Sequence, residues 1–372
     1  MIYKGKIKMQ PQYVTIANIL SRRIRHGDYL INEIPSSRKL AEEMGVSHIV
    51  ARKAAEKLLD EGLLTRDSGG KLAVANGKNS YKKTGATIAM LCPAFNSGYF
   101  YACRIKIENI AKQLKCMFRP VNYIHWDDPV IKEVVNGFDG VFLLGSSEPI
   151  NDMTISLLTN SPCKVVTFDM DLTSHGIPRL AIFDSSHIRK LLEHLLDFGH
   201  QRIDCINTQP YDDETGKRIE EWVKGCSELK FQGQLHNEPV EQYQHPTPKA
   251  YEIMSNLLLS GRFNATAVYC TNEYIAYGVI RALEDFGIEV GKEVSVCAIG
   301  DASIARYYKP SITCLEMPEI DDFLVSTIQW MGQASDAAWE KEMNNIVDAP
   351  LFAGESTGRP VKFNLTKQPG DA

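Results

Sequence analysis

PSSRKLAEEMGVSHIVARKAAEKLLDEGLLTRDSGGKLAV, residues 35–74, is the stretch that decides how this chain begins. Ser36 and Ser37 after Pro35 are good helix starters, and Leu40, Ala41 and Met44 recur at helical spacing. Gly45 supplies a tight turn, and the hydroxyl of Ser47 can cap a second helix. In that helix the spacing puts Val50, Ala54 and Leu58 on one stripe, facing a core. His48, Ile49, Arg52, Lys53 and Glu56 fall on the opposite face. Asp67-Ser68-Gly69-Gly70 then joins Leu63–Arg66 to Lys71–Val74 as the tip of a hairpin. Upstream, Tyr13, Ile16, Ala17, Leu20 and Ile24 predict an amphipathic helix from Pro11 to about His26, closed by Gly27. The order of parts is a helix-turn-helix with a wing, whose second helix lies in a DNA major groove.

Charge supports that orientation. Residues 1–84 carry 16 Lys+Arg against 8 Asp+Glu, a surplus of +8, and residues 85–372 carry 25 against 38, a deficit of -13. A basic head on an acidic body suits a head that faces phosphates. At 372 residues, with 44% hydrophobic and 23% charged content, the chain suits two or three folded domains. No run reaches the apolar length needed to span a bilayer, so the expected location is the cytoplasm, with no membrane partner. Nine cysteines without a C-x-x-C pair argue against a disulfide framework or a zinc site. Cys92, Cys205, Cys270 and Cys297 lie in apolar runs and read as buried thiols.

Residues 11–75 resemble the GntR family of winged-helix repressors along their full length. The match rests on Pro35, Arg38, Leu40, Ala41, Gly45-Val46-Ser47, Arg52, Ala54, Leu58, Glu61-Gly62-Leu63-Leu64 and a Gly-bearing wing ending at Val74. The resemblance implies DNA contacts from Arg38, Ser47, Arg52 and Gly69. His48 stands where the family usually has Arg, and Val50-Ala51 replace Thr-Val. His48 can still donate to DNA, Arg52 is placed to reach a base edge, and Lys53 and Arg38 can fix the register on phosphates.

Residues 76–86 are polar and read as a linker. Beyond them, near-continuous apolar runs alternate with amphipathic stretches: Ile88–Cys92, Val141–Leu144, Val165–Phe168, Ile203–Ile206, Ala267–Cys270 and Val296–Ile299. Such runs predict parallel strands covered on both faces, enough for two sheets, with ligands at the carboxyl ends of the strands. Residues 87–365 resemble the LacI/GalR effector domain, itself similar to periplasmic sugar-binding proteins. The anchors are TIAMLCPAFNSGYF, FDGVFLLG, VVTFD, IFDSS, HLLDFGHQRI, AVYCTNEYIAYGVIRALEDFGIEVGKEVSVCAIGD and LFAGESTGRP, in that order. The fold class expected is therefore α/β: an N-terminal winged helix-turn-helix plus a two-lobed periplasmic-binding-protein-like sensor of two parallel doubly wound sheets. The segment after Met317 is expected to return and finish the first lobe.

The resemblance implies a cleft in which Tyr99 and Phe100 stack on the effector and Asp169 accepts from its hydroxyls. It also implies that Arg218 and Asn272 are polar contacts, that His245 is an aromatic wall, and that Asp301 lines the site. Competing structural readings make Asp169 and Asp184 helix caps, Tyr99 and Phe100 core residues, and Arg218 a surface ion pair. Gly300 departs from the Asp that most sugar-binding members carry, which leaves room for a bulkier or anionic effector. Glu273 follows Asn272 where the family has Asp.

Enzyme readings lack support, because no Gly-rich phosphate loop, G-x-S-x-G elbow or H-E-x-x-H occurs. His187, His194 and His200 lack one-turn spacing and read as scattered surface histidines, so neither a metal nor a cofactor is expected. The expectation is a homodimeric, ligand-responsive transcriptional regulator acting as a repressor, with a pseudo-palindromic double-stranded DNA operator and a carbohydrate-like effector. The alternative is a solute-sensing module whose head binds a protein.

Overall fold

The computed structural model describes residues 11–31, 33–75, 85–95, 97–300, 302–334 and 337–361. The expected linker, apart from its last two residues, the expected site residue Asp301 and the end of the sensor beyond residue 361 lie outside the described residues.

The head is built from α1 (Gln12–Arg25), a short α2 (Asp28–Ile31), α3 (Ser37–Met44), α4 (His48–Asp60) and a hairpin of β1 (Leu64–Arg66) and β2 (Leu72–Val74). The local signals act as read. The Ser36 hydroxyl accepts from Lys39 N, and Gly45 takes the left-handed conformation at φ 61° that ends α3. Ser47 then caps α4 by accepting from Val50 N. The buried stripe of α4 differs from the expected one. Ala51, Ala54, Ala55 and Leu58 are buried, whereas Val50 is only half-buried. Three alanines let α4 lie close against Ile16, Ala17, Leu20 and Ile24 of α1, and the β-branched Val50 is turned toward the rim.

Two six-stranded sheets form the rest. The first has the order β13-β7-β6-β5-β3-β4 and is parallel throughout. Its strands are β3 (Thr87–Pro93), β4 (Met117–Tyr123), β5 (Gly140–Leu144), β6 (Lys164–Phe168), β7 (Arg179–Ala181) and β13 (Asn344–Ile346). The second has the order β14-β12-β11-β10-β8-β9 and is parallel except for its antiparallel edge β14. It is made of β8 (Ile203–Asn207), β9 (Leu235–Asn237), β10 (Ala267–Cys270), β11 (Ser295–Ala298), β12 (Thr313–Leu315) and β14 (Leu351–Phe352). Residues of β3, β5, β6, β8, β10 and β11 are buried on both faces or nearly so, which is why they read as continuous apolar runs. Cys92, Cys205, Cys270 and Cys297 are buried, and burial pushes the Cys92 thiol up to about 11, so it stays protonated and unreactive.

The expectation for the C-terminal segment needs correcting. Helix α13 (Asp321–Met331) packs on the first sheet, where Leu324, Ile328 and Met331 join Ile88, Ile107 and Ile110, and β13 extends that sheet. The chain then returns to the second lobe, where β14 pairs with β12. The C-terminal segment therefore completes both lobes.

Head and sensor also touch. Arg119 on β4 donates to Asp28 at 2.6 Å and to the His26 carbonyl at 3.4 Å, and Leu30 and Met117 each pack with the cores of both parts.

The histidines contradict the surface reading. His200 is 1% and His187 6% exposed, and His194 is half-buried. His200 Nδ1 lies 2.8 Å from the Thr266 hydroxyl, and Nε2 lies 2.9 Å from the Gly358 carbonyl and 3.0 Å from the Ser295 hydroxyl. Those partners come from segments 66 to 158 residues further along the chain, so no local spacing could announce them. Burial holds all three imidazoles below their ordinary value of 6.5. The folded chain thus binds fewer protons than the unfolded one below that pH. Its stability should be full above about pH 6.5 and decline as the pH falls toward the folded values. Calorimetry from pH 7.5 to 5.5 should show a falling Tm, and His200→Asn should flatten the fall. An unchanged slope would exclude His200 as a contributor.

Candidate functional site

On the head, the outward side of α4 is open. His48, Ile49, Arg52 and Lys53 are all exposed, and Ile49 is 68% exposed although fully apolar. Arg38, on the first turn of α3, is exposed beside them in sequence order, as is Gly69 on the wing. The wing tip is ordered by Asp67, whose Oδ1 accepts from Gly69 N and Lys71 N at 2.9 Å each. Arg66 donates to the Gly70 carbonyl at 2.9 Å. Ser47 uses its hydroxyl as a cap, which fixes the start of α4 whatever else that side chain contacts.

Two features of this face went unread in the sequence. Arg52 is held by Glu56 one turn on, at 2.8 Å, so its guanidinium is pre-aimed along the helix but must leave a carboxylate to meet a base. Ile49 offers an apolar tip of the kind that meets a thymine methyl. Its exposure was visible in the spacing, but its meaning was not.

The second site is a cleft of about 560 Å³ between the two sheets. It lies where parallel α/β sheets place ligands, beyond the carboxyl ends of their strands. Ala94, Gly145 and Asp169 follow β3, β5 and β6. Gln209, Asn272 and Gly300 follow β8, β10 and β11. The structure brings Tyr99, Phe100, Asp169, Arg218, His245 and Asn272 to this one cavity. They come from segments up to about 170 residues apart.

Tyr99 and Phe100 sit on the first turn of α5 (Gly98–Gln113), which Ser97 caps by accepting from Phe100 N at 3.3 Å. Their rings cluster with Phe95 and Phe183 at centroid distances of 5.2–5.9 Å, so they are wall and core at once. Burial and the nearby Asp169 carboxylate push the Tyr99 phenol well above its ordinary value, which keeps it a neutral donor. Asp169 takes the left-handed conformation at φ 58°, and its Oδ1 accepts from Ile182 N at 2.7 Å and Phe183 N at 3.3 Å. Asp169 therefore caps no helix: it ties down the bend after β7 while lining the cavity. Asp184 lies outside the cavity lining and caps the turn at Ser186.

Arg218 projects from α9 (Asp213–Glu228), and its Nη1 donates to the Thr271 carbonyl at 3.3 Å, while Nε is buried without a partner. Asn272 caps α11 (Glu273–Asp285) by accepting from Ile275 N at 3.0 Å, and its amide donates to Gln209 at 2.7 Å. His245 caps α10 (Pro246–Leu259), its ring edge-on to Tyr274 at 4.9 Å.

One residue at this junction was missed entirely. Arg179 on β7 has a side chain only 5% exposed, and it donates to the Asp169 carbonyl. It lies 3.4 Å from Asp184 and 3.6 Å from Glu214, which belongs to the second lobe. Burial alone would raise the Asp184 carboxyl. The Ser186 hydrogen bonds and Arg179 together outweigh it and hold that carboxyl below its ordinary value. Further contacts cross the cleft: Gly98 N donates to the Tyr274 hydroxyl at 3.2 Å, and Gln242 donates to the Ser146 hydroxyl at 3.3 Å. Among the described residues, no group of three or more His, Cys, Asp or Glu is arranged to hold a metal, and no helix is long and apolar enough to cross a membrane.

The two parts of the chain match two family models. Residues 12–74 match that of the bacterial regulatory proteins of the gntR family, and residues 192–319 match the periplasmic binding protein-like domain. Over 94% of its length the chain is 22% identical to the arabinose metabolism transcriptional repressor of Halalkalibacterium halodurans, covering 97% of that protein. It is 30% identical to the HTH-type transcriptional regulator GalR of Escherichia coli, over 45% of this chain and 48% of that one. Among solved structures, a LacI family transcriptional regulator from Enterococcus faecium with bound ribose superposes with a TM-score of 0.62 at 20% identity. That likeness covers 74% of this chain and 100% of the other.

Head, cleft and relatives together define a DNA-binding transcriptional regulator rather than an enzyme. In particular, the chain joins a GntR-type helix-turn-helix head to a LacI-type, periplasmic-binding-protein-like effector domain.

Arg52→Ala should cost roughly 1–3 kcal/mol of discrimination between operator and mutated operator, while Lys53→Ala should weaken all sequences alike. Gel shifts across a set of base-substituted operators separate the two. Uniform loss in Arg52→Ala would make that residue a phosphate contact.

Proposed function

We propose that the chain works as a homodimeric repressor. Residues 11–75 form the reading head, residues 76–86 the connection, and residues 87–365 the effector-binding and dimerising body. A pair of heads related by a two-fold axis suits a pseudo-palindromic operator. Arg38, Ser47, His48, Arg52, Lys53 and Gly69 are the assigned DNA contacts, with Ile49 added for its exposed apolar tip. In the cleft, Tyr99, Phe100, Asp169, Arg218, His245, Asn272 and, outside the described residues, Asp301 are the assigned effector contacts.

The observation that carries this reading is the cleft itself. Aromatic walls and fixed hydrogen-bonding groups from both lobes converge on a cavity that polar contacts such as Gly98–Tyr274 and Gln242–Ser146 cross. A ligand in it acts on the lobes only through its differential affinity for two closure angles. The Asp28–Arg119 pair ties the head to the first lobe, giving a route by which closure changes the spacing of paired heads. The arabinose and ribose in the names of the relatives support a small carbohydrate effector.

A thermal-shift series with L-arabinose, D-ribose, D-xylose and D-galactose, followed by gel shifts with the upstream DNA of its own gene, tests the reading. An effector at about 100 times its Kd should stabilise the chain by about 2.7 kcal/mol and change operator affinity. Arg218→Ala should abolish the stabilisation. Salt-independent association with DNA, or stabilisation untouched by Arg218→Ala, would count against the proposal.

A further inference from the structure

The contacts between head and first lobe fall at a place shaped to receive them. The lobe offers the amino end of its edge strand β4 and the carboxyl end of α6 (Pro129–Gly137). Leu30 and Met117 each pack with the core of the head and with that of the lobe, so the apolar interior runs through the junction. Gly27 and Gly137 are both buried there. The Met117 sulfur lies 2.7 Å from where a Cβ of Gly27 would stand, and the Leu30 carbonyl oxygen 2.6 Å from that of Gly137. Gly137 does not take the left-handed conformation that calls for glycine, so the reason for it is the close approach of the head backbone. Gly45, Gly62 and Gly70 of the head are the opposite case: φ is positive, and nothing comes within 4 Å of the Cβ position.

The ion pair across the junction runs against the general charge. With +8 on residues 1–84 and -13 on residues 85–372, unspecific attraction would press cations of the head onto carboxylates of the body. Here the head supplies the carboxylate, Asp28, and the body the cation, Arg119, at 2.6 Å. Arg119 also donates to the His26 carbonyl, where α1 ends. A pair of reversed sign favours one orientation of the head over the rest. That orientation leaves His48, Ile49, Arg52 and Lys53 of α4 exposed. The effector cleft lies beyond the carboxyl ends of the strands and the seat at the amino end of β4, so the two occupy opposite ends of one lobe.

We propose that the head is carried as a fixed extension of the first lobe, seated through residues 27–30 on β4 and on the end of α6, and not held by its covalent connection alone. Resting on the repressor reading above, closure of the cleft then turns the first lobe as a lever with the reader at its far end. The separation of two half-sites that a pair of heads can meet is accordingly set by how the bodies are angled.

Hydrogen exchange of the full chain, read by mass spectrometry, tests both sides of the seat. Alanine in place of a helical glycine ordinarily steadies a helix, so without a docked head Gly137→Ala should leave protection unchanged or raise it. With the head docked, protection should fall at least tenfold in residues 26–31 and 115–118 together, while α4 and β3 stay as protected as in wild type. Arg119→Ala, a milder change at the rim, should lower protection of the same two segments at least threefold. Loss confined to residues 26–31 means that α2 opens by itself and overturns the seat, as does protection within twofold of wild type in both variants. Should Gly137→Ala loosen β3 as well, the lobe itself is damaged, and the two segments in Arg119→Ala decide by the same limits. Gel shifts with the upstream DNA report on the repressor reading separately: salt-dependent binding without a seat overturns this inference alone, and a seat without DNA binding overturns the reader and leaves the docked head in place.

Discussion

The guanidinium of Arg179 holds segments of both lobes in register. It is almost fully buried, so its charge persists only because acceptors surround it. Those acceptors come from the end of β6, the crossover after β7, the first turn of α9 and, through Asn344, from β13. Four separate segments of two lobes are positioned around one cation. Asp169 adopts its left-handed backbone there, with its carbonyl accepting from Arg179 and its carboxylate accepting from the next crossover. Removing one partner from such a cluster would strand buried charge, which is far costlier than losing a surface pair.

From that junction the functional geometry follows. Parallel strands end together, their carboxyl ends open onto the cleft, and the loops that leave them carry the polar groups. Capping side chains double as lining: Asn272 and His245 each hold a helix N-terminus while facing the cavity. A cap is a rigid support, so these groups are pre-aimed. The aromatic wall is equally over-determined, since Tyr99 and Phe100 pack on Phe183 and Phe95 before any ligand arrives.

How much of this was legible in the sequence depends on whether the signal is local. The six strands buried on both faces were read within a residue or two, because full burial writes a continuous apolar run. Strand β4 was missed because it is a half-exposed edge interrupted by Pro120, and β7, β9, β12, β13 and β14 are too short to show a pattern. The caps Ser36 and Ser47 were readable, since a hydroxyl bonds an amide three residues on. The buried stripe of α4 was set one residue off, because small alanines decide the close packing and hydrophobicity alone favours Val50. Arg179 and His200 left no local trace, since all but one of their side-chain partners lie ten or more residues away in the chain. The placing of the cleft residues came from motif order, and their bonding came only from coordinates.

The path of the backbone carries a consequence for how such a protein could arise. The head is one uninterrupted block of sequence joined to the body by a single covalent passage. The two lobes are interleaved, with α13 and β13 finishing one before β14 finishes the other. A single recombination junction in the gene can therefore exchange the reader while leaving the body whole. No single junction can exchange one lobe for that of another protein, because either half would lack strands that the other encodes. The molecule is modular at its neck and indivisible below it.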